Sequence, residues 1–146
     1  MSDSFIQNQI KLHEFKAVHV TFDCVKIEGE SDLQNLKFNL NLSDLTFPDD
    51  PKKYIKSFQL DISAKSNVKE EIVHIKVEFH TIFECSEVIT QEFLNSDFSN
   101  VSAPAIGFPY LRAFITTLTS QAGIAPLILP SINFIQFNQD KLVNKK

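Results

Sequence analysis

Up to Cys85 the chain runs through four stretches that alternate apolar and polar side chains, with no helical period between them. Alternation sends successive side chains to opposite faces, the mark of a half-buried strand. In FKAVHVTFD (Phe15–Asp23), Val18, Val20 and Phe22 share one face. In LKFNLNL, Leu36, Phe38, Leu40 and Leu42 oppose Lys37, Asn39 and Asn41. The segment Tyr54–Lys65 brings Phe58, Leu60 and Ile62 into register, and Ile72–Cys85 aligns Val73, Ile75, Val77, Phe79, Thr81, Phe83 and Cys85. Strands joined without helices are mostly antiparallel, because a parallel pair needs a long crossover. FPDDP (Phe47–Pro51) reads as a turn, as does SNVKE. The polar stretch Cys24–Asn35 reads as a connection longer than a tight hairpin.

Beyond Cys85 the pattern changes. SEVITQEFLNSDF suits a short helix or an irregular crossing. FPYLRAFITTLTSQAG then reads as a helix with both ends marked, Pro109 in its first turn and Gly123 at a left-handed stop. Phe108, Leu111, Ile115, Leu118 and Ala122 recur at spacings of 3, 4, 3 and 4, a heptad-like seam. Such a seam serves either the chain's own sheet or another subunit, and these five residues are the candidate oligomer interface. From Ile132 a short last helix has Phe134, Phe137 and Leu142 as apolar positions.

The fold class is therefore α+β: a four-stranded antiparallel sheet with a long helix and a short C-terminal helix packed on one side. The 146 residues form one domain, 1–146, with 1–12 expected to be flexible and 141–146 a tail. A chain of this size buries roughly 68–70% of its unfolded surface without help from disulfides or metal. The 14 phenylalanines exceed the ordinary, so some rings either enrich the core or serve another apolar surface.

Composition excludes several functions. A net charge of −4 with interspersed Lys and Glu is not the basic stripe of a nucleic-acid protein. No apolar run reaches the length of a bilayer span, the opening MSDSFIQNQIKLHEF lacks the apolar core of a signal peptide, and Cys24 and Cys85 stand alone. A cytoplasmic location with reduced thiols is the expectation. With Gly 3 in the whole chain there is no phosphate-cradling loop, and no G-x-S-x-G, H-E-x-x-H or C-x-x-C occurs. His74 and His80 share a strand face but lie about 20 Å apart, as do His13 and His19, too far to share a metal. The adjacent pairs Asp49–Asp50 and Glu70–Glu71 point apart, and Cys85 lies between Glu84 and Glu87 without a cation to activate it. No cofactor, metal or catalytic set is read. A hot-dog thioesterase would want a carboxylate on or beside its central helix, and Phe108–Ala122 has none.

The run FPYLRAFITTLTSQAGIAPLILPSINF resembles the helix and helix-connecting loop of the SecB protein-export chaperones. The carrying residues are Phe108-Pro109-Tyr110, Arg112, Gly123, Pro126-Leu127-Ile128-Leu129-Pro130 and Asn133-Phe134. The layout agrees from about Phe15 onward, while motif-level likeness is confined to the last third. The resemblance implies a homotetramer, a dimer of dimers with helices between two layers of sheet. It also implies an ATP-independent holdase that binds unfolded polypeptide clients in apolar grooves. Carried over by position, the client-binding residues are Leu36, Phe38, Leu40 and Leu42 on the second strand, Ile124, Leu127 and Leu129 in the loop, and Phe137 and Leu142 on the last helix. The family docks on the SecA motor through an acidic patch on the exposed sheet face. This chain keeps Asp23, but His19 stands where an acidic residue is expected, one turn reads AKSNVK and the end reads KLVNKK, so that surface is incomplete. Some relatives instead guard an antitoxin. A dedicated chaperone of one such client, or an interaction scaffold without general holding activity, is the alternative function.

Overall fold

The computed structural model describes residues 10–24, 34–65 and 71–144. Four strands, β1 (Ile10–Cys24), β2 (Gln34–Phe47), β3 (Asp50–Lys65) and β4 (Glu71–Cys85), form one sheet in the order β1-β4-β3-β2. All three neighbouring pairs are antiparallel. β2 and β3 close through the turn at Phe47–Asp50, where FPDDP was read as a turn. β1 ends on one edge of the sheet and β2 begins on the other, so a tight hairpin cannot join them. The connection read between Cys24 and Asn35 and the turn SNVKE fall largely outside the described residues, as do Lys145 and Lys146. β1 takes in Ile10–Leu12, part of the stretch read as flexible, and bulges at Leu12/Glu14 and Ala17/His19.

One face of the sheet carries the core. Phe58, Ile62, Val73, Ile75 and Phe79 are buried beneath the helices, with Leu36, Phe38, Leu40 and Leu42 half-buried beside them. A short helix α1 (Gln91–Leu94) is capped by Thr90, whose hydroxyl accepts from the Phe93 amide. A wide π-type turn, Phe98–Ser102, leads directly into α2 (Ala103–Gln121). The last helix, α3 (Phe134–Asn144), includes Lys141, which the sequence placed in a tail. Its cap is Asn133, whose side-chain oxygen accepts from the amides of Ile135 and Gln136.

α2 begins five residues before Phe108. Pro104 takes the first-turn role assigned to Pro109, and Pro109 lies inside the helix. The wide turn explains the difference: it delivers the chain already helical at Ala103, whose amide bonds to the Phe98 carbonyl. At the other end Gly123 adopts φ 83, and the Ile124 amide reaches the Thr119 carbonyl at 3.2 Å to close the helix.

Gly107 lets α2 lie close on the sheet. A Cβ there would collide with the Thr81 hydroxyl and stand 2.8 Å from the Phe58 ring. A glycine inside a helix costs about 1 kcal/mol relative to alanine. The close approach offsets that cost by bringing Phe108 and Leu111 into the core, each burial contributing about 1.5–3 kcal/mol.

Candidate functional site

The heptad-like seam faces inward. Phe108, Leu111 and Ile115 are buried, Leu118 packs half-buried on the same core, and Ala122 is exposed at the helix end. Phe108 lies against Phe58 at 6.4 Å and Phe134 at 5.6 Å between ring centroids. A sheet face lined with aromatics needs a helix stripe over it, and this seam is that stripe, so Phe108, Leu111 and Ile115 are core and are unavailable to another subunit. The outward face of α2 instead presents Ile106, Pro109, Tyr110, Ala113 and Thr117. Tyr110 stacks on Phe15 of β1 at 4.1 Å, and Phe15, Val18 and Val20 are exposed along that edge strand. An apolar patch thus runs from the β1 edge onto the outer face of α2.

The segment after Gly123 is neither helix nor strand, so its backbone must find other partners. Pro126 and Pro130 remove two donors, and side chains of α2 partner the Leu127 amide and the Leu127 and Leu129 carbonyls. Thr119 Oγ1 accepts from the Leu127 amide at 2.9 Å and donates back to the Ile115 carbonyl at 2.9 Å. Thr116 Oγ1 donates to the Leu127 carbonyl at 2.9 Å, and Arg112 Nε donates to the Leu129 carbonyl at 3.0 Å. Arg112, Thr116 and Thr119 follow one another at helical spacing and pin the segment in an extended shape. The extended backbone then alternates: Leu127 and Leu129 point into the core at 6% and 0% exposure, and Ile128 between them stands out at 71%. Leu127 and Leu129, expected to line an open groove, are core residues; Ile128, passed over in the sequence, is the exposed one. It overhangs a shallow hollow of about 360 Å³ against Pro109, Ala113 and Thr117. Ile124 is half-buried against the core.

Three of the sequence-read client residues do come together. Leu42 of β2 and Phe137 and Leu142 of α3 line a cleft of about 590 Å³ between the β2 edge and α3. Leu142 is 57% exposed, whereas Leu42 and Phe137 are half-buried. Leu36, Phe38 and Leu40 continue the face of Leu42 along β2, half-buried against the core and outside this cleft's walls.

The floor of the cleft is polar, which the sequence reading missed. Lys56 on β3 is 3% exposed and donates to Asp44 Oδ1 at 2.7 Å. Asp44 and Lys56 are direct cross-strand partners. Tyr54 donates to the same oxygen at 2.6 Å, so the Ser99 hydroxyl, 2.8 Å from the Tyr54 oxygen, is the donor of that pair. Burial lowers the Lys56 pKa against the attraction of Asp44, and burial with the Asp44 carboxylate beside it raises that of Tyr54. A signal was present: Asp44 extends the series Leu36 to Leu42 by one alternation, and Lys56 lies between Tyr54 and Phe58 on the core face.

The opposite sheet face is charged and mixed. His74 meets Asp61 at 2.9 Å, His80 meets Glu78 at 2.7 Å and His13 meets Glu84 at 3.6 Å. His19 is the strand partner of Glu78, and Asp23 that of His74. Carboxylates there are interleaved with histidines and lysines instead of forming one acidic patch. Among the described residues no three His, Cys, Asp or Glu side chains group as a metal site, and no helix is long and apolar enough to cross a membrane. Burial pushes the Cys85 thiol up to about 11, so it is a poor nucleophile.

Comparison with known proteins agrees with this architecture. An uncharacterized protein of Methanocaldococcus jannaschii is 27% identical over 85% of this chain and 79% of its own length. The protein-export protein SecB of Rickettsia akari is 25% identical over 68% of this chain and 62% of its own length. That of Neorickettsia sennetsu is 30% identical over 60% of this chain, which spans 57% of its length. A SecB-like chaperone of Mycobacterium tuberculosis, solved with a peptide from an antitoxin, shares the fold with a TM-score of 0.69 at 15% identity, covering 90% of this chain and 94% of that one. The family model described as preprotein translocase subunit SecB matches residues 25–145, most of the chain from the end of β1 to the end of α3, and the chain belongs to that family.

Proposed function

We propose that this protein is an ATP-independent chaperone that holds unfolded polypeptides, such as preproteins awaiting export, in the cytoplasm. The observation that carries the reading is the cleft between β2 and α3, where Leu42, Phe137 and Leu142 offer apolar surface to solvent instead of closing over it. A client side chain buried there gains about 1.5–3 kcal/mol. One such contact barely exceeds the cost of ordering an unfolded chain, so tight holding needs several sites acting through effective concentration. Folded clients hide their apolar segments, which gives selection for the unfolded state.

Several sites require assembly, and the patch of Phe15, Val18, Val20, Ile106 and Tyr110 supplies a surface for it. A homotetramer, a dimer of dimers, built on this patch is the arrangement we favour, in place of the inward-facing seam. The interleaved histidines on the far sheet face weigh against docking on the SecA motor and toward a dedicated client, an antitoxin among them.

Light scattering together with suppression of aggregation of an unfolded test polypeptide, without ATP, tests the reading. A tetramer that suppresses aggregation supports it. A protein that assembles but leaves aggregation unchanged is a scaffold, and the holdase reading falls.

A further inference from the structure

The cleft between β2 and α3 contains more than its apolar rim, and its chemistry narrows what it can hold. Lys56 Nζ is buried and has three N–H donors, of which Asp44 takes one; no other hydrogen-bond acceptor for it occurs among the described residues. Asp44 concentrates its bonds on Oδ1, which accepts from Tyr54 and Lys56. Asp44 Oδ2 takes none from the described residues. The walls add Asp97 and Asn138, side chains with no hydrogen-bond partner among the described residues. The charges in the walls cancel: Asp44 and Asp97 against Lys56 and Lys141. A buried ammonium with donors to spare cannot be left so without cost. A charged ligand would unbalance the cleft. A neutral group that both donates and accepts would match it.

We propose that this cleft is a polar anchor for amide groups of the bound chain, taking a main-chain peptide group or the like carboxamide of an Asn or Gln side chain. The peptide group has one donor and one acceptor at every non-proline residue. Lys56 Nζ and the Asn138 amide face its carbonyl, and Asp44 Oδ2 or Asp97 its N–H, while Leu42, Phe137 and Leu142 take the flanking side chains. The proposal rests on the holdase reading above and adds the group recognised.

The test uses the full chain and three capped peptides, with binding measured by calorimetry. The first peptide contains Leu and Ser without charged or amide side chains. The second is the same peptide N-methylated at alternate residues, and the third has Asn in place of Ser. Asn138→Leu and Asp97→Ala are surface changes that leave the core alone, and Lys56→Met, checked first by its unfolding curve, removes the buried donor. The expected result is a roughly five- to tenfold weaker Kd for the first peptide in each variant, with the N-methylated peptide weak in wild type and insensitive to the variants. If only the Asn peptide responds, the carboxamide is the source of the group; if the plain peptide responds, the main chain is. Equal weakening of the plain and N-methylated peptides, or none in any variant, overturns the anchor while the holdase reading stands. Wild type that binds none of the three overturns the holdase reading and the anchor with it.

Discussion

The hydroxyl of Thr119 accepts the Leu127 amide at 2.9 Å, and both groups are buried. This one bond ties the last turn of α2 to a segment without secondary structure of its own. Thr119→Val keeps the shape of the side chain and removes the acceptor, leaving the Leu127 N–H desolvated and unpaired. The expected cost is about 1–3 kcal/mol in urea unfolding, larger than for Thr117→Val on the exposed face.

Gly107→Ala forces a methyl group into the space of Thr81 Oγ1 and the Phe58 ring. The sheet and helix must part, and overpacking of this kind costs about 1–3 kcal/mol. Thr81→Ala in the same chain removes one of the two obstacles and should recover part of the loss. A double variant no more stable than Gly107→Ala alone would place the strain elsewhere.

Stability should fall as pH rises from 9 to 11. Burial raises the Cys85 thiol from its ordinary 9.0 to about 11 in the folded chain. Across that window the unfolded chain has released a proton that the folded chain retains, so unfolding is favoured. Tyr54, whose pKa is also raised, acts in the same direction above its ordinary value of 10.0. Lys56, lowered from 10.5, acts in the opposite direction below that value, because there the unfolded state binds more protons. Unfolding curves of Cys85→Ala against wild type isolate the thiol: the variant should show a shallower decline between these pH values.

Adjacent loop residues should respond differently to the same change. Leu129→Asp puts a carboxylate into the core, where its charge has no partner, and should abolish cooperative unfolding. Ile128→Asp, at 71% exposure, should shift protomer stability by no more than about 0.5 kcal/mol. Its effect should appear instead in assembly or client binding, read by light scattering and aggregation suppression.

Tyr110→Asp places a charge in the patch that joins α2 to β1. The expected outcome is a smaller assembly in light scattering with the fold retained. The parallel change Ile115→Asp should unfold the protomer, because that residue points into the sheet.

The strands were legible because a period of two survives any packing partner, and Leu36 to Leu42 show it without interruption. The helix seam was legible as a stripe, but a stripe does not say what it faces. Phe108, Leu111 and Ile115 meet their own sheet because Gly107 lets α2 sit close to it. Alternation in Leu127-Ile128-Leu129 fixes that neighbours point apart, yet not which set points inward. That choice is made by Arg112, Thr116 and Thr119, polar residues whose partners are backbone groups far along the chain. The Asp44–Lys56 pair was hidden for a simpler reason: charge in an alternating run reads as the solvent face unless the register is followed through to the end.

Leu127 and Leu129 cannot turn outward without losing the core, and so Ile128 cannot turn inward. A protein that could fold its own exposed side chain away would rest in a closed form and need energy to open. Here the backbone tethers hold the side chain outside. Whatever meets Ile128, a client or a neighbouring subunit, finds it already presented, with no opening step before contact and no competition from the protein itself.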